Sequence, residues 1–222
     1  MSGTRGRLTA AALKFSVVGS VLLMLTAGCA DDSKAPGAAT STRPSAKAFS
    51  QLFSSYAVDY EVVESPDELQ TYSDLVLTGV IRDLTDGRRR TVDDNPALSE
   101  ATLVLQVEPS EIISGSLPDG NDGFVYVELP NPLNQDVGEY AKVYPRGATT
   151  ALYLMPSRPG DPTIEDSSAG RPPAQAIWAP VSPQGFYLSD GQGGSIEVFE
   201  QRSYAAPVSR FLPPNPTFPS PE

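Results

Sequence analysis

Hydrophobic and polar positions divide the chain into four stretches of different period. Residues 1–14 carry Arg5, Arg7 and Lys14 without an acid, and an apolar run from Phe15 to Leu25 follows. A basic start, a short apolar centre and the small residues Thr26-Ala27-Gly28 predict a secretory signal peptide over 1–28. The run falls short of the roughly 20 apolar residues that span a bilayer. From Ala30 to Lys47 the chain is small, polar and interrupted by Pro and Gly, with no apolar period. That composition predicts a flexible tether, assigned to 29–55 together with Cys29.

The third stretch, 56–204, alternates apolar and polar residues in short runs, the strand period. Strands are predicted over 75–81, 102–107, 111–115, 124–129, 147–155, 176–180, 185–188 and 195–199. Gly79 marks a bulge or bend in the first of them. Turn residues at 189–194 join the last two as a hairpin. One helix is predicted, over 66–72, with Ser65 as its cap, Pro66 at its first position and Glu68 three residues after the cap. The segment 86–96, with Arg88, Arg89 and Arg90, reads as a loop. Many short strands and a single small helix imply a mainly β fold, a small barrel or sandwich. The fourth stretch, 205–222, is too rich in proline for helix or sheet. Phe211, Leu212 and Phe218 in this tail are expected to pack back across the domain or to dock on an envelope partner.

Leu25-Thr26-Ala27-Gly28-Cys29 resembles a bacterial lipobox. The match departs at one place, since leucine usually stands three residues before the cysteine and here Thr26 does. The resemblance implies that the Cys29 thiol receives a diacylglycerol and that the chain is cut before Cys29. The protein would then be held by acylated Cys29 in the lipid bilayer, on the extracytoplasmic face of the cell membrane. Two or more acyl chains anchor stably where one does not. The tether looks like the Ala/Thr/Ser/Pro-rich leashes of actinobacterial envelope lipoproteins. The β-rich region carries a second resemblance. A capped helix, then Ser73-Asp-Leu-Val-Leu-Thr-Gly-Val-Ile81, then the runs 102–116, 124–130, 144–156 and 185–199, is similar to an uncharacterised OB-like or netrin-like barrel domain of secreted bacterial proteins. Those motifs determine a fold, so the resemblance implies no catalytic residues.

Charge narrows the partners. The chain holds 16 basic and 27 acidic residues. Loss of Arg5, Arg7 and Lys14 with the leader leaves 13 basic against 27 acidic, a net charge of −14. Such a surface excludes a nucleic-acid partner, which needs Lys and Arg against its phosphates. It equally opposes lying flat on anionic lipid. Arg88, Arg89 and Arg90 form the one basic cluster of the acidic domain. Beside Asp83, Asp86, Asp93 and Asp94 they read as a self-neutralising loop, or as a contact for an anionic envelope polymer or headgroup.

The chemistry that remains is sparse. The chain has no histidine and one cysteine, which excludes His-based triads, His-ligated metals and intrachain disulfides. The turns 119–123 and 190–194 resemble calcium and phosphate loops only superficially, because the ligand spacing of an EF-hand and the Lys-Ser/Thr of a phosphate loop are missing. Trp178, Tyr187 and Tyr204 read as core aromatics rather than as the lining of a groove. The sequence implies no catalytic residue, no metal and no cofactor. The expected role is a non-catalytic binding module for an envelope protein or polymer. The alternatives are a hydrolase using carboxylates or a serine activated by Lys142, the one lysine beyond the tether, and a structural surface protein.

Overall fold

A computed structural model describes residues 45–92, 95–157, 164–215 and 217–222. The lipobox residues Leu25, Thr26, Ala27 and Gly28, and Cys29 itself, lie outside the described residues. The chain is mainly β. In order it forms α1 (Ala46–Gln51), α2 (Pro66–Thr71), β1 (Leu75–Val92), β2 (Asn95–Ser114), β3 (Val125–Pro130), α3 (Val137–Ala141), β4 (Thr149–Pro156), β5 (Ile164–Glu165), β6 (Ile177–Pro180), β7 (Phe186–Ser189), β8 (Ser195–Glu197) and β9 (Arg202–Tyr204). Two 3-10 turns, Pro183–Gly185 and Val208–Phe211, complete it. Among the described residues no helix is long and apolar enough to cross a membrane.

The strand pairings close a ring. β1 pairs with β2, β2 with β3, β3 with β6, β6 with β4, and β4 returns to β1. Only β3–β6 is parallel in that circuit. The result is a five-stranded barrel rather than a two-sheet sandwich. β7, β8 and β9 extend the sheet as a meander from the free edge of β4.

Alternation along the strands fills the barrel. Leu75, Leu77 and Ile81 of β1 meet Leu103, Leu105 and Val107 of β2, Val125, Val127 and Leu129 of β3, and Leu152 and Leu154 of β4, all without exposed surface. The intervening Val76, Ala151 and Tyr153 face the other way and are covered by Val63, Leu69, Phe211 and Leu212. Two covered faces explain why parts of these strands read as unbroken apolar runs. Gly79 sits at a register shift in β1, as expected of a bulge. A Cβ there would lie 2.5 Å from Val107 Cγ1 and 2.7 Å from the Glu108 carbonyl oxygen, so only glycine lets the strands approach.

Four sequence expectations are corrected. Residues 45–55, assigned to the flexible tether, instead contain a helix. Ser45 Oγ accepts from the Ala48 N–H as its cap, and Phe49 and Phe53 are fully buried. The buried positions 46, 49, 50 and 53 follow a helical period, but one turn and a half of it is too short to stand out among polar neighbours. The segment 86–92, expected as a loop, is the second half of β1, and 95–114 is one strand rather than two. Pairing in a long ribbon satisfies the backbone there whatever the side-chain charge, at the expense of five register shifts. Among the described residues three short helices replace the single one predicted; α2 matches it, and α3 falls where irregular chain was expected. The Pro-rich tail, by contrast, packs back onto the domain through the residues that its sequence singled out. Phe211 stacks on Tyr187 with ring centroids 4.2 Å apart, Tyr153 Oη donates to the Phe211 carbonyl at 2.6 Å, and Phe218 packs against the same cluster.

Candidate functional site

The three arginines that the sequence groups together are separated by strand geometry. Successive residues of a strand face opposite ways, so Arg88 and Arg90 share one face of β1 and Arg89 takes the other. Arg88 is buried, with 5% of its surface exposed. Its partner comes from β3. Val127 and Leu129 point into the barrel, which turns Glu128 outward onto the face that carries Arg88. The Arg88 guanidinium forks onto that carboxylate, Nε donating to Oε1 at 2.8 Å and Nη2 to Oε2. Nη2 also donates to Ser157 Oγ at 2.7 Å, and Ser157 Oγ in turn donates to Glu128 Oε2. Thr102 Oγ1 lies 3.0 Å from Glu128 Oε1 and 2.9 Å from the Arg88 carbonyl oxygen, so its one proton serves either.

Burial alone would push the Glu128 carboxyl up. The hydrogen bonds from Arg88, Ser157 and Thr102, with the arginine charge, outweigh it and hold the group below the usual carboxylate range. Glu128 is therefore ionised and the buried charge is compensated. Arg89 lies outside this network and donates from Nη1 to Ser99 Oγ at 3.2 Å. Arg90 is half-exposed, with Nη1 4.0 Å from Glu100 Oε2.

Around the pair the surface is concave. A cleft of about 430 Å³ is lined by Tyr56, Arg88, Arg90, Thr102, Glu128 and Ser157, among others. Two further clefts meet it at Tyr56 and Thr102, one running along the strap 58–60 to Phe199 and one to Ser99, Glu100, Asn131 and Asn134. Together they form an open groove across β2 and β3. Tyr56 is half-buried at its centre, its ring held by Phe199 at 5.3 Å. The groove offers the half-buried rings of Tyr56 and Tyr60, several polar groups, and charges that are mostly matched by their neighbours.

A second buried carboxylate contrasts with the first. Glu197 on β8 is 1% exposed. Tyr204 Oη donates to its Oε2 at 2.6 Å, and Arg202 Nη1 stands 3.8 Å from the same oxygen. Oε1 is buried without a hydrogen-bond partner. Burial raises this carboxyl, and the Tyr204 hydrogen bond and Arg202 charge offset only part of the rise. Nearby, burial and a hydrogen bond to Glu200 push the Tyr60 phenol up to about 12.

The other residues singled out by sequence have structural roles. Lys142 Nζ donates to both oxygens of Glu139 at 2.6 and 2.7 Å on the exposed side of α3. Trp178 belongs to the barrel core, and Tyr187 and Tyr204 to the outer cluster. Asp122 accepts from Tyr126 Oη, and Asp190 Oδ1 accepts from the N–H groups of Gln192 and Gly194, which makes both loops self-satisfied turns. Among the described residues no group of three or more Cys, Asp or Glu side chains is arranged to hold a metal ion. Sequence reasoning passed over Glu128 and Glu197. Each is a lone charge inside an apolar strand run, which is the only local signal either leaves.

Comparisons of the chain with protein-family models, with curated proteins and with solved structures gave no match, so its function is read from its own residues.

Proposed function

We propose that this chain is a lipid-anchored, extracytoplasmic and non-catalytic binding module whose barrel holds an envelope polymer in the groove centred on Tyr56. The observation that carries the reading is the contrast between a barrel interior filled by side chains and an open exterior groove over β2 and β3. A filled core leaves no room for a carried small molecule, whereas an open groove suits a chain-like ligand. The circuit β1–β2–β3–β6–β4, with α3 between β3 and β4, supports the OB-like reading of the domain. Barrels of that kind bind oligomeric ligands on the face of their second and third strands.

Arg88 is held by Glu128, Thr102 is engaged with that pair, and Asn131 is buried in bonds to Gln135 and Tyr140. Recognition therefore rests on the Tyr56 ring and on the polar groups of Ser99 and the exposed Asn134. The sole cysteine, placed after the apolar leader, supports anchoring at Cys29. Intact mass of the membrane-fraction protein, beside a Cys29→Ala variant, tests the anchor. A mass of residues 29–222 plus diacylglycerol and acyl groups is expected, with the variant released or unprocessed. An unmodified mass in both overturns the anchoring. Saturable retention of the protein on insoluble envelope material, above that of an unrelated anchored barrel, is expected of the groove, and equal retention of the two overturns that part.

A further inference from the structure

Beyond the Tyr56 groove, the strap and α2 build a second concave surface of different chemistry. Tyr60, Val63, Leu69, Tyr72, Met155 and Val181 contribute to a cleft of about 330 Å³. Its floor is apolar, with Leu69 fully buried and Val63 nearly so. Tyr72 and Met155, on its walls, are large apolar side chains left 58% and 39% exposed. Scattered exposed hydrophobics are ordinary, but two of them facing one cleft are a surface suited to a partner.

The charged side chains of the strap and α2 are all of one sign, although Arg202 of β9 approaches the cleft at Tyr60. Asp59, Glu61, Glu64, Asp67, Glu68 and Asp74 fall within sixteen residues that contain no Lys or Arg, and all six are exposed. Glu61 and Glu68 line the cleft itself. None of the six forms an ion pair among the described residues, although other surface carboxylates such as Glu108 and Glu139 do. Glu68 Oε2 accepts from the Glu64 N–H in the cap of α2, which holds this acidic rim in place.

The sign of the rim selects the occupant. A second copy would bring its own six carboxylates against these, in a chain whose mature charge is already strongly negative. An anionic lipid surface is repelled in the same way. We infer that this cleft docks a protein segment that carries one large apolar side chain flanked by Lys or Arg. The apolar anchor fills the space between Tyr72 and Met155, and the flanking cations meet the rim. Complementary charge of this kind steers association and makes it salt-dependent.

The test uses the full chain in phosphatidylcholine nanodiscs and a fluorescein-labelled peptide, Lys-Lys-Gly-Trp-Gly-Lys-Lys, read by anisotropy at low salt. Controls are the same peptide with glutamates for lysines and with glycine for tryptophan. Both controls are expected to bind at least tenfold more weakly. Tyr72→Ser and the double change Glu61→Lys, Glu64→Lys are each expected to weaken the lysine peptide at least fivefold. All three positions are exposed, so the fold is not at stake. Asp119→Lys, in the exposed turn before β3, is expected to leave binding unchanged. Equal weakening by Asp119→Lys and the rim changes would mean general acidity and overturn the docking site. So would binding of the glutamate peptide as tightly as the lysine one. Sedimentation of the wild type as a dimer that Tyr72→Ser dissociates would give the cleft to a second copy and likewise overturn the proposal.

Discussion

Glu128 and Glu197 are carboxylates on two strands of one sheet, the first largely and the second almost wholly removed from water, and their environments drive them in opposite directions. Glu128 receives a forked guanidinium and two hydroxyls, which together exceed the cost of burial. Glu197 receives one phenol and a guanidinium at 3.8 Å, and keeps an oxygen without a partner. Burial by itself therefore does not decide the state of an acid. The number and geometry of donors reaching it decide, because a buried charge is costly unless it is both paired and hydrogen-bonded. The completed pair beneath the groove makes a rigid, nearly neutral floor. The incomplete one lies in the meander, on β8, where Tyr60 of the strap comes near it.

The largest effect should come from breaking the completed pair. Arg88→Ala leaves Glu128 buried and uncompensated and should cost about 3–5 kcal/mol in denaturant unfolding. The joint change Arg88→Met, Glu128→Leu should recover most of that loss, since replacing a buried pair with apolar groups is often neutral. A double change as destabilising as Arg88→Ala would show that the pair itself, rather than the orphaned charge, carries the stability. Tyr204→Phe removes the one hydroxyl donor to Glu197 and should cost about 1–3 kcal/mol at neutral pH. Arg202→Ala should cost at most about 1 kcal/mol, because its guanidinium is 44% exposed and distant from the carboxylate.

The pH dependence separates the two acids by sign. Glu128, held below its ordinary 4.5, contributes stability that is complete above that value and is lost as pH falls through its lowered one. Glu197, raised above its ordinary 4.5, imposes a penalty that is complete above its raised value and fades as pH falls toward 4.5. Thermal unfolding from neutral to acid pH should thus show the Glu197 relief first and the Glu128 loss below it. Tyr204→Phe should lower Tm most on the neutral side and least near pH 4. A uniform drop across the range would contradict the assignment of the penalty to Glu197.

Much of the β architecture was legible because a strand with one face in the barrel leaves a period of two, as 124–129 and 102–107 do. The capped helix was legible from Ser65, Pro66 and Glu68, and the bend from Gly79. The rest was hidden for physical reasons. α1 shows its period for about one turn and a half, so Phe49 within it and Phe53 just after it carry no helical signal that stands out from a tether. The outer half of β1 carries arginines and aspartates that signal a loop, while its backbone is satisfied by β2. The candidate site was legible as charge but not as geometry. Arg88, Arg89 and Arg90 are adjacent in sequence, yet strand alternation gives them three separate partners, and Glu128 lies 40 residues from Arg88. No local pattern announces a partner at that distance.

The proposed hold of the β2–β3 groove on an envelope polymer rests on the Tyr56 ring. Co-sedimentation of the full-length protein with insoluble envelope material, wild type against Tyr56→Leu, tests it most directly, since leucine keeps an apolar contact with Phe199 and removes the ring. At least fivefold weaker retention of Tyr56→Leu, with little dependence on salt, is the result predicted. Equal retention of the two proteins, or retention abolished by moderate salt in both, would contradict it.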